Sequence, residues 1–529
     1  MPQYSGPKAT TKKGSSVIRT ATPPIVVSTY EGDKGFLKDE KSALFTLGAT
    51  FMSENDGAFY ETGSDRQQRF VGLVHSVTKT DPAWVMEFIP FLRNTAQMRT
   101  ASIVATAEYV RAGGPGGASL IPTVLARADE PAELLGYWLE KYGRSLPQPL
   151  KRGLARSCVA LFNEYAAMKY DGGSRGVRLG DVIELTHPKA QAPWQSDLFR
   201  YLLDRRHHPT DVRVELENLP KIRAWNEINA VPLDDRREYL RNAGSDGLYE
   251  AGMTWERLSG WVPGGMDAEA WETVIPSMGY MALLRNLRNF DQAQVSASVK
   301  REIADRLSDP EQVAKSRQFP YRFISAYKEM VTEQWGAALE TALDLSVRNI
   351  PVLGGRSLVL IDVSGSMRAP VSARSRLERW EAGAVFGVAQ GLRAKNADIV
   401  AFATGNRGVD LRPGTSVLKG VAEIATIVSR GALSYGTEMW PAIQKHFDGH
   451  DRIFIFSDMQ SFGYIGRHNL AKKLASTSIY AFDLGGYHQA NMELGGDKPH
   501  YQLGGLTDAT FRQIPLLEAG RNAGWPWAS

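Results

Sequence analysis

The sequence predicts a multidomain protein in which an all-α, HEAT-like array of helical repeats precedes an α/β domain with a doubly wound sheet. Its 529 residues are too many for one compact core. From about 38 to 345, apolar residues recur at intervals of three and four, with short Gly and Pro breaks between amphipathic segments. After 351, apolar runs typical of buried strands alternate with helical segments, which is the pattern of a parallel sheet.

The first 35 residues (1–35) are expected to be a tail with an extended lead-in. They are polar and basic, and no apolar stretch like that of a signal peptide follows them. Whether the Ile-Val-Val run at 25–27 forms a strand is left open. No run of about 18 apolar residues occurs, so we expect no membrane span. Cys158 is the only cysteine, which excludes an internal disulfide framework. We therefore expect a cytoplasmic protein.

The next part, 36–350, is typical of an α-solenoid in which helix pairs stack on one another. Examples of its amphipathic segments are 67–77, 83–92, 99–111, 132–142 and 150–169. No strict sequence period is present. The glycine-rich stretch 113–117 lacks the Gly-Lys-Ser/Thr of a phosphate-binding loop. We interpret it as a helix connection, and a P-loop ATPase is excluded.

A run of apolar residues at 358–361 predicts a buried strand that leads directly into small, oxygen-bearing side chains. Asp362, Ser364 and Ser366 alternate after it, Thr437 lies in a later glycine-containing loop, and Asp458 follows the strand 452–456. In parallel sheets, ligands bind at the carboxyl ends of the strands. Carboxylate and hydroxyl oxygens suit Mg²⁺, and also Mn²⁺ or Ca²⁺, better than zinc. We predict a divalent cation site formed by these five residues. The alternative is that the first of them only cap the next helix.

Positive charge is concentrated in the segment 141–206. It contains twelve Lys and Arg residues against six Asp and Glu, a net charge of +6 in a chain whose total is +4. Tyrosines, a tryptophan and His187 lie among these charges, and His207 and His208 follow them directly; bases stack on aromatic side chains in basic surfaces of this kind. The alternative is a solvated helical face that binds nothing.

The order Asp-x-Ser-x-Ser, then Thr, then Asp resembles the metal-ion-dependent adhesion site of von Willebrand factor A domains over 351–485. The resemblance implies that 351–529 form such a domain and that its cation, Mg²⁺ above all, binds an acidic protein ligand. Glu438 stands where an aspartate often follows the threonine.

The helical part resembles the TROVE module of the Ro autoantigen family, in particular its bacterial-type members. The matching stretches are LKRG at 150–153, AMKY at 167–170, RLGDVIELTHPK at 178–189, WERL at 255–258 and, above all, GYMALLRNLRN at 279–289. The resemblance implies that 36–350 close into a ring. In the family, a basic hole takes single-stranded RNA ends and the outer surface holds small Y RNAs.

The same resemblance indicates RNA contacts at Lys169, at Arg175 or Arg178, and at His187. Which of the two arginines matches is open, because the preceding Asp-Gly-Gly at 171–173 replaces a more basic stretch. Two further candidates, Arg285 and Arg288, lie three residues apart and share one helix face. They either line the hole or stabilise the helical array.

Together these features predict an RNA-binding protein that forms a ribonucleoprotein and acts in the quality control or decay of non-coding RNA. Its expected ligands are a Y-like small RNA and the single-stranded 3′ ends of misfolded RNAs. The resemblance implies a 3′-to-5′ exoribonuclease, such as polynucleotide phosphorylase, as a partner. No histidine or second acidic pair accompanies the predicted cation site, so no enzyme is expected. The alternative is a helical-repeat scaffold that binds proteins through its metal-dependent A domain, without RNA.

Overall fold

The computed structural model describes most of the chain. The described residues are 26–28, 30, 34–50, 62–172, 176–209, 212–329, 333–348, 350–371, 376–412, 414–431, 433–462, 467–492, 499–503, 511, 514–518, 525 and 527. Within them, helices occupy the first two thirds of the chain and a mixed sheet with flanking helices occupies the last third. This architecture confirms the predicted fold class.

The first part of the structure is a succession of short helices. Local signals set their ends: Asp81 follows the second helix, and its carboxylate accepts a hydrogen bond from the Trp84 N–H of the third. None of the described helices is long and apolar enough to cross a membrane. The bounds are α1 Glu40–Thr50, α2 Gly63–Thr80, α3 Pro82–Asn94, α4 Arg99–Arg111, α5 Gly117–Val124, α6 Glu130–Tyr142, α7 Gln148–Leu161, α8 Glu164–Tyr170, α9 Leu179–Thr186, α10 Pro193–His207, α11 Pro220–Ala230, α12 Arg236–Glu250, α13 Trp255–Trp261, α14 Ala268–Val274, α15 Tyr280–Gln292, α16 Ala297–Ser308, α17 Pro310–Ser316, α18 Tyr321–Lys328 and α19 Gly336–Ser346.

Helix α15 illustrates how the sequence pattern becomes packing. Leu283, Leu287 and Phe290 are buried, whereas Arg285 and Arg288 are exposed. Their spacing of three and four residues puts the apolar side chains on one helix face. The apolar faces of neighbouring helices pack against one another and form successive cores. Helices α1–α5 share one core, α4–α11 share a second, and α11–α19 share a third that continues into the sheet.

A buried carboxylate, Glu108 on α4, links the first two of these cores. The Tyr137 and Tyr142 hydroxyls donate to it, Lys141 Nζ lies 2.8 Å from its Oε1, and His75 Nε2 lies 2.6 Å from its Oε2. Burial alone would raise the pKa of Glu108, but the hydrogen bonds from the lysine and the two tyrosines outweigh it and lower that pKa. The ionised carboxylate is therefore the stable form in the folded protein.

The last third contains a six-stranded sheet in the order β5-β4-β3-β6-β7-β9, parallel except for β5 at one edge. Leu358 and Leu360 pack with α22 in one core, and Val359 and Ile361 pack with α20 in the core on the other face. Helices on both faces make the sheet doubly wound, as predicted. The bounds are β3 Leu353–Asp362, α20 Arg379–Arg393, β4 Ala394–Phe402, β5 Asn406–Val409, α21 Val417–Ser429, α22 Met439–His446, β6 Arg452–Ser457, α23 Arg467–Lys473, β7 Ser478–Asp483, β9 His500–Leu503 and α24 Ile514–Glu518.

The first described strands are attached to this α/β domain. Strands β1 (Val26–Ser28) and β2 (Lys34–Leu37) form a small antiparallel sheet with β8 (Gln489–Ala490). Lys38 Nζ lies 2.7 Å from Asp483 Oδ2 at the end of β7. Arg66 of α2 donates to the Gly485 carbonyl at 2.6 Å, and Arg69 donates to the next carbonyl along at 3.0 Å. We call these contacts of Lys38, Arg66 and Arg69 with 483–487 the N-terminal seam.

The other end of the helical array also contacts the α/β domain. Helix α19 packs on α21, and α18 packs on α20. Lys328, at the end of α18, forms an ion pair with the buried Glu381. The array therefore begins and ends on the same domain, as a closed ring requires.

Two tryptophans near the end of the chain, Trp525 and Trp527, pack among the first helices. Their rings are 5.6 Å apart and nearly parallel. The first lies 5.6 Å from Phe45, and the second lies 5.2 Å from both Trp84 and Phe91. The structure thus places the last described residues of the segment 485–529 in the core of α1–α5.

Candidate metal centre and RNA surface

The two predicted carboxylate ligands lie side by side in the structure. Strands β3 and β6 are parallel neighbours in which Ile361 pairs with Phe456. Asp362 ends the first of these strands, and Asp458 comes directly after the second. Both side chains are fully buried. The parallel register therefore brings the two carboxyl groups to the same edge of the sheet, as predicted.

Hydrogen bonds fix the loops that carry the hydroxyl groups. The Ser364 N–H donates to Asp362 Oδ1 at 2.9 Å, and the Ser364 and Ser366 hydroxyl oxygens are 3.4 Å apart. The Gly365 N–H donates to the carbonyl two residues before Thr437 at 2.7 Å. All three hydroxyl side chains are buried. The structure thus brings the loop after β3 and the loop of Thr437 together.

The carboxyl group of Asp458 is the clearest indication that this site can bind a cation. Its Oδ1 accepts from the Gln460 N–H at 3.2 Å, but its buried Oδ2 has no hydrogen-bond partner among the described residues. Burial and the nearby Asp362 carboxylate raise the pKa of Asp458 to about 8. A bound cation would neutralise both carboxylates and supply the missing partner. Oxygen donors of this kind fit Mg²⁺, Mn²⁺ or Ca²⁺.

Hydroxyl groups are essential to any such coordination. Across the described residues, no cluster of three or more His, Cys, Asp or Glu side chains is arranged to hold a metal. Two carboxylates alone leave most of an octahedral shell unfilled, so Ser364, Ser366, Thr437 and water would have to complete it.

Sequence reasoning missed a third acid at this sheet edge. Asp483 ends β7, is fully buried, and accepts hydrogen bonds from the N–H groups of Gly485 and Gly486 at 2.9 and 2.7 Å. A signal existed, because this aspartate directly follows the apolar run Ile-Tyr-Ala-Phe at 479–482. Its partner Lys38 carries no such signal, since 445 residues separate the two in sequence.

Lys169 is exposed at the end of α8 and lies against aromatic rings. Its Nζ is 5.4 Å from the centre of the Tyr165 ring and 5.5 Å from that of Tyr170. It also donates to the Tyr165 hydroxyl at 3.2 Å. Lys169 lines a cavity of about 260 Å³ together with Ala282, one turn before Arg285 on α15. The structure thus brings the first helix turn of α15 close to Lys169.

Arg178 is placed differently from the other candidates. It is buried, its guanidinium lies 2.6 Å from Asp171 Oδ2, and its N–H donates to Asp181 at the start of α9. These contacts indicate a structural role. Arg175 lies outside the described residues. Intramolecular ion pairs also engage other cations of the basic segment, such as Arg206 with Asp181 at 2.6 Å.

The remaining candidates are exposed. His187 ends α9 in a left-handed conformation with φ of 50°, and its side chain is exposed. Arg285 and Arg288 lie on the exposed face of α15. Arg288 lies 3.8 Å from the Glu329 carboxylate, and both side chains remain about half exposed. Such a pair contributes little stability, so the guanidinium can still reach a phosphate.

One segment of the helical part matches a family model. The segment 241–334 matches the TROVE domain family. Telomerase protein component 1 of Mus musculus is 40% identical over 77 residues, and that of Rattus norvegicus is 39% identical over 80 residues. These alignments cover 14% and 15% of this chain, and the chain spans only 3% of the length of either relative.

A solved structure matches nearly the whole chain. The crystal structure of the Ro (RSR) protein of Deinococcus radiodurans aligns with a TM-score of 0.58 at 17% sequence identity. The alignment covers 91% of this chain and 100% of the other. The two chains share one fold of helical repeats followed by an α/β domain.

Proposed function

We propose that this chain binds RNA, because one of its segments matches the TROVE domain family and its fold is that of a Ro protein. These two matches confirm its resemblance to the Ro family. The observation that carries the proposal is the position of Lys169. Its ammonium group is exposed beside two tyrosine rings, and no acidic side chain forms an ion pair with it in the described part of the chain. Cations attract phosphates, and exposed aromatic faces stack with bases. His187, Arg285 and Arg288 are also exposed, and they are the further RNA contacts of this proposal.

The proposed ligands are a Y-like small RNA and the single-stranded 3′ ends of misfolded RNAs. Unpaired RNA presents base faces and edges that a duplex hides, so selection would act on accessibility more than on sequence. In this proposal the protein serves the quality control or decay of non-coding RNA in the cytoplasm. A 3′-to-5′ exoribonuclease, such as polynucleotide phosphorylase, is the proposed partner.

The second part of the proposal concerns the cation. Asp362, Ser364, Ser366, Thr437 and Asp458 would hold Mg²⁺, or Mn²⁺ or Ca²⁺, at the end of β3 and β6. The orphaned Asp458 Oδ2 supports this assignment. The cation would supply a positive centre, and the carboxylate of an acidic protein ligand would bind there.

RNA that co-purifies with the protein from its native host tests the first part directly. Discrete small RNAs should be enriched when this RNA is sequenced. Filter binding should then be measured with an RNA that has a single-stranded 3′ end. With three phosphate contacts, the affinity should fall about 20-fold between 50 and 200 mM salt, since each contact to a single strand adds about 0.7 to the logarithmic slope.

Matched variants locate the surface. Lys169→Ala combined with Arg285→Ala should weaken binding and flatten the salt dependence. The control is Lys315→Ala combined with Lys419→Ala, which also removes two positive charges, from exposed lysines paired with Glu311 and Glu340. If the double variant binds RNA as tightly as the control, the proposed surface is wrong. If the wild-type protein binds no RNA at low salt, the proposed function is wrong.

A further inference from the structure

We propose that a cavity between two helical cores binds one unpaired nucleotide, with the base against aromatic side chains and the phosphate on lysines. We call it the tyrosine cavity. Its wall includes Tyr165, Lys169, Lys221, Tyr249, Trp255 and Met278. The inference rests on the proposed RNA-binding function and specifies what one part of that surface recognises.

The cavity lies where two layers of helices meet. Helix α8 contributes Tyr165 from the second core, while α12 and α13 contribute Tyr249 and Trp255 from the third. The volume of about 260 Å³ is small for a ligand site and suits a single planar group. Met253 and Met278 are almost fully buried and form an apolar floor. A site of this size accepts a nucleobase rather than a folded polymer.

The aromatic side chains at the cavity are available to a ligand. Tyr249 is 63% exposed and Tyr165 is 42% exposed, although both rings lie at the wall of a concave site. The two exposed rings lie in the wall of one cavity instead of being scattered singly, and contiguous exposed apolar surface marks binding sites. Any RNA base has a face that stacks on such a ring, so the site tolerates different sequences. In a duplex those faces are covered, which restricts the cavity to unpaired nucleotides.

A lysine accompanies each tyrosine. Lys221 Nζ lies 4.9 Å from the centre of the Tyr249 ring, and Lys169 Nζ lies 5.4 Å from that of Tyr165. Neither ammonium forms an ion pair with a carboxylate among the residues that the structure describes. Base stacking on the tyrosines would therefore place the attached phosphate next to a positive charge. Helix α15 begins at the same wall, and its positive N-terminal end adds to the attraction for phosphate.

One acidic side chain, Glu256, also lines the cavity. A carboxylate accepts hydrogen bonds and donates none. It therefore suits an amino group on a base edge or the 2′-hydroxyl of a ribose, and the hydroxyl is the group that distinguishes RNA from DNA.

The experiment measures binding of an unstructured, fluorescently labelled 12-nucleotide RNA to the full chain. Tyr249→Ala should weaken binding about tenfold, within the range found for stacking of a base on an aromatic side chain. Tyr249→Phe keeps the ring and should bind like the wild type. A series of RNAs, each with one abasic position, should reveal a nucleotide whose base matters to the wild type and to Tyr249→Phe but not to Tyr249→Ala.

A second variant fills the cavity instead of removing a contact. Gly279 lies at the wall with an ordinary φ of −74°, and an added Cβ would meet no atom within 4 Å. Gly279→Leu should therefore fold and occlude the site, with a similar loss of affinity. Circular dichroism and the thermal midpoint report whether each variant is folded.

The outcomes separate this inference from the proposed function. If the wild type binds the RNA but Tyr249→Ala and Gly279→Leu bind it equally well, and no abasic position matters, the tyrosine cavity is not the site. RNA binding elsewhere on the protein would stand. If the wild type does not bind the RNA even at low salt, the proposed function fails and the inference fails with it.

Discussion

Replacing Lys38 by methionine should strongly destabilise the protein, because it leaves the Asp483 carboxylate buried without its cation. The two groups are 2.7 Å apart, and their side chains are 3% and 0% exposed. Removing one partner of a buried ion pair costs about 3–5 kcal/mol. Methionine keeps most of the apolar stem of the lysine, so little of the loss comes from packing. The hydrogen bond that Lys38 donates to the Tyr487 carbonyl is lost as well. We expect the free energy of unfolding to fall by about 4 kcal/mol.

Urea unfolding at pH 7 measures this loss, and a neighbouring ion pair provides the control. Lys41 lies 2.6 Å from Asp81, but these side chains are 34% and 39% exposed. Solvent screens such a pair, so Lys41→Met should cost less than about 1 kcal/mol. Lys38→Met combined with Asp483→Asn should recover much of the loss, because the buried side chain that faced the lysine is then neutral.

Two results would refute this reasoning about the N-terminal seam. One is a loss for Lys38→Met no larger than that for Lys41→Met. The other is a double variant that is no more stable than Lys38→Met, since this would mean that the uncompensated carboxylate is not the cause of the loss.

Three further predictions concern other parts of the chain. Mg²⁺ should raise the thermal midpoint of the wild type but not of Asp362→Ala, and at 100 times its dissociation constant it should add about 2.7 kcal/mol. The affinity of the protein for Mg²⁺ should increase from pH 6 to pH 9, because Asp458, whose pKa is raised, loses its proton over this range. Equal Mg²⁺ affinities at the two pH values would contradict the assignment of Asp458 as a ligand. The lowered pKa of Glu108 means that its stabilising effect is present at neutral pH and disappears as the pH falls through the pKa of the folded state. The urea midpoint should therefore fall less between pH 7 and pH 4 in Glu108→Gln than in the wild type. An equal fall in both proteins would mean that the Glu108 carboxylate is not the cause of this pH dependence. Trp527→Ala should cost about 2–3 kcal/mol in urea unfolding, less than a fully buried tryptophan because the side chain is partly exposed, whereas the exposed Trp194→Ala should cost little.

The fold could be predicted because local patterns determine most of its elements. The apolar run at 358–361 became the core of β3, and the amphipathic segment 99–111 became α4 with the same bounds. The positions of Asp362 and Asp458 side by side could also be predicted, since parallel strands that end in polar residues place those residues at one edge.

Exposure of individual cations could not be predicted in this way. Arg178 and Lys169 are both basic residues in the same segment, yet one is buried and the other exposed. The difference depends on Asp171, which binds the Arg178 guanidinium at 2.6 Å. Charge counts along a segment record how many cations are present and not which of them the protein itself neutralises.

Contacts between distant parts of the chain left no pattern at all. Lys38 is one lysine among many until the fold places it against Asp483. Trp525 and Trp527 lie in a short polar and glycine-rich stretch without helical spacing, and only the three-dimensional structure brings them to Phe45.

The attachment of the helical array at both ends has a mechanical consequence. An array of stacked repeats with free ends can change its length and twist by small rotations between repeats, because each repeat contacts only its neighbours. Here the N-terminal seam holds one end, and the packing of α19 on α21 holds the other. The α/β domain therefore fixes the distance between the two ends of the helical array. A force that widens the array therefore acts on both attachments, the N-terminal seam and the packing of α19 on α21.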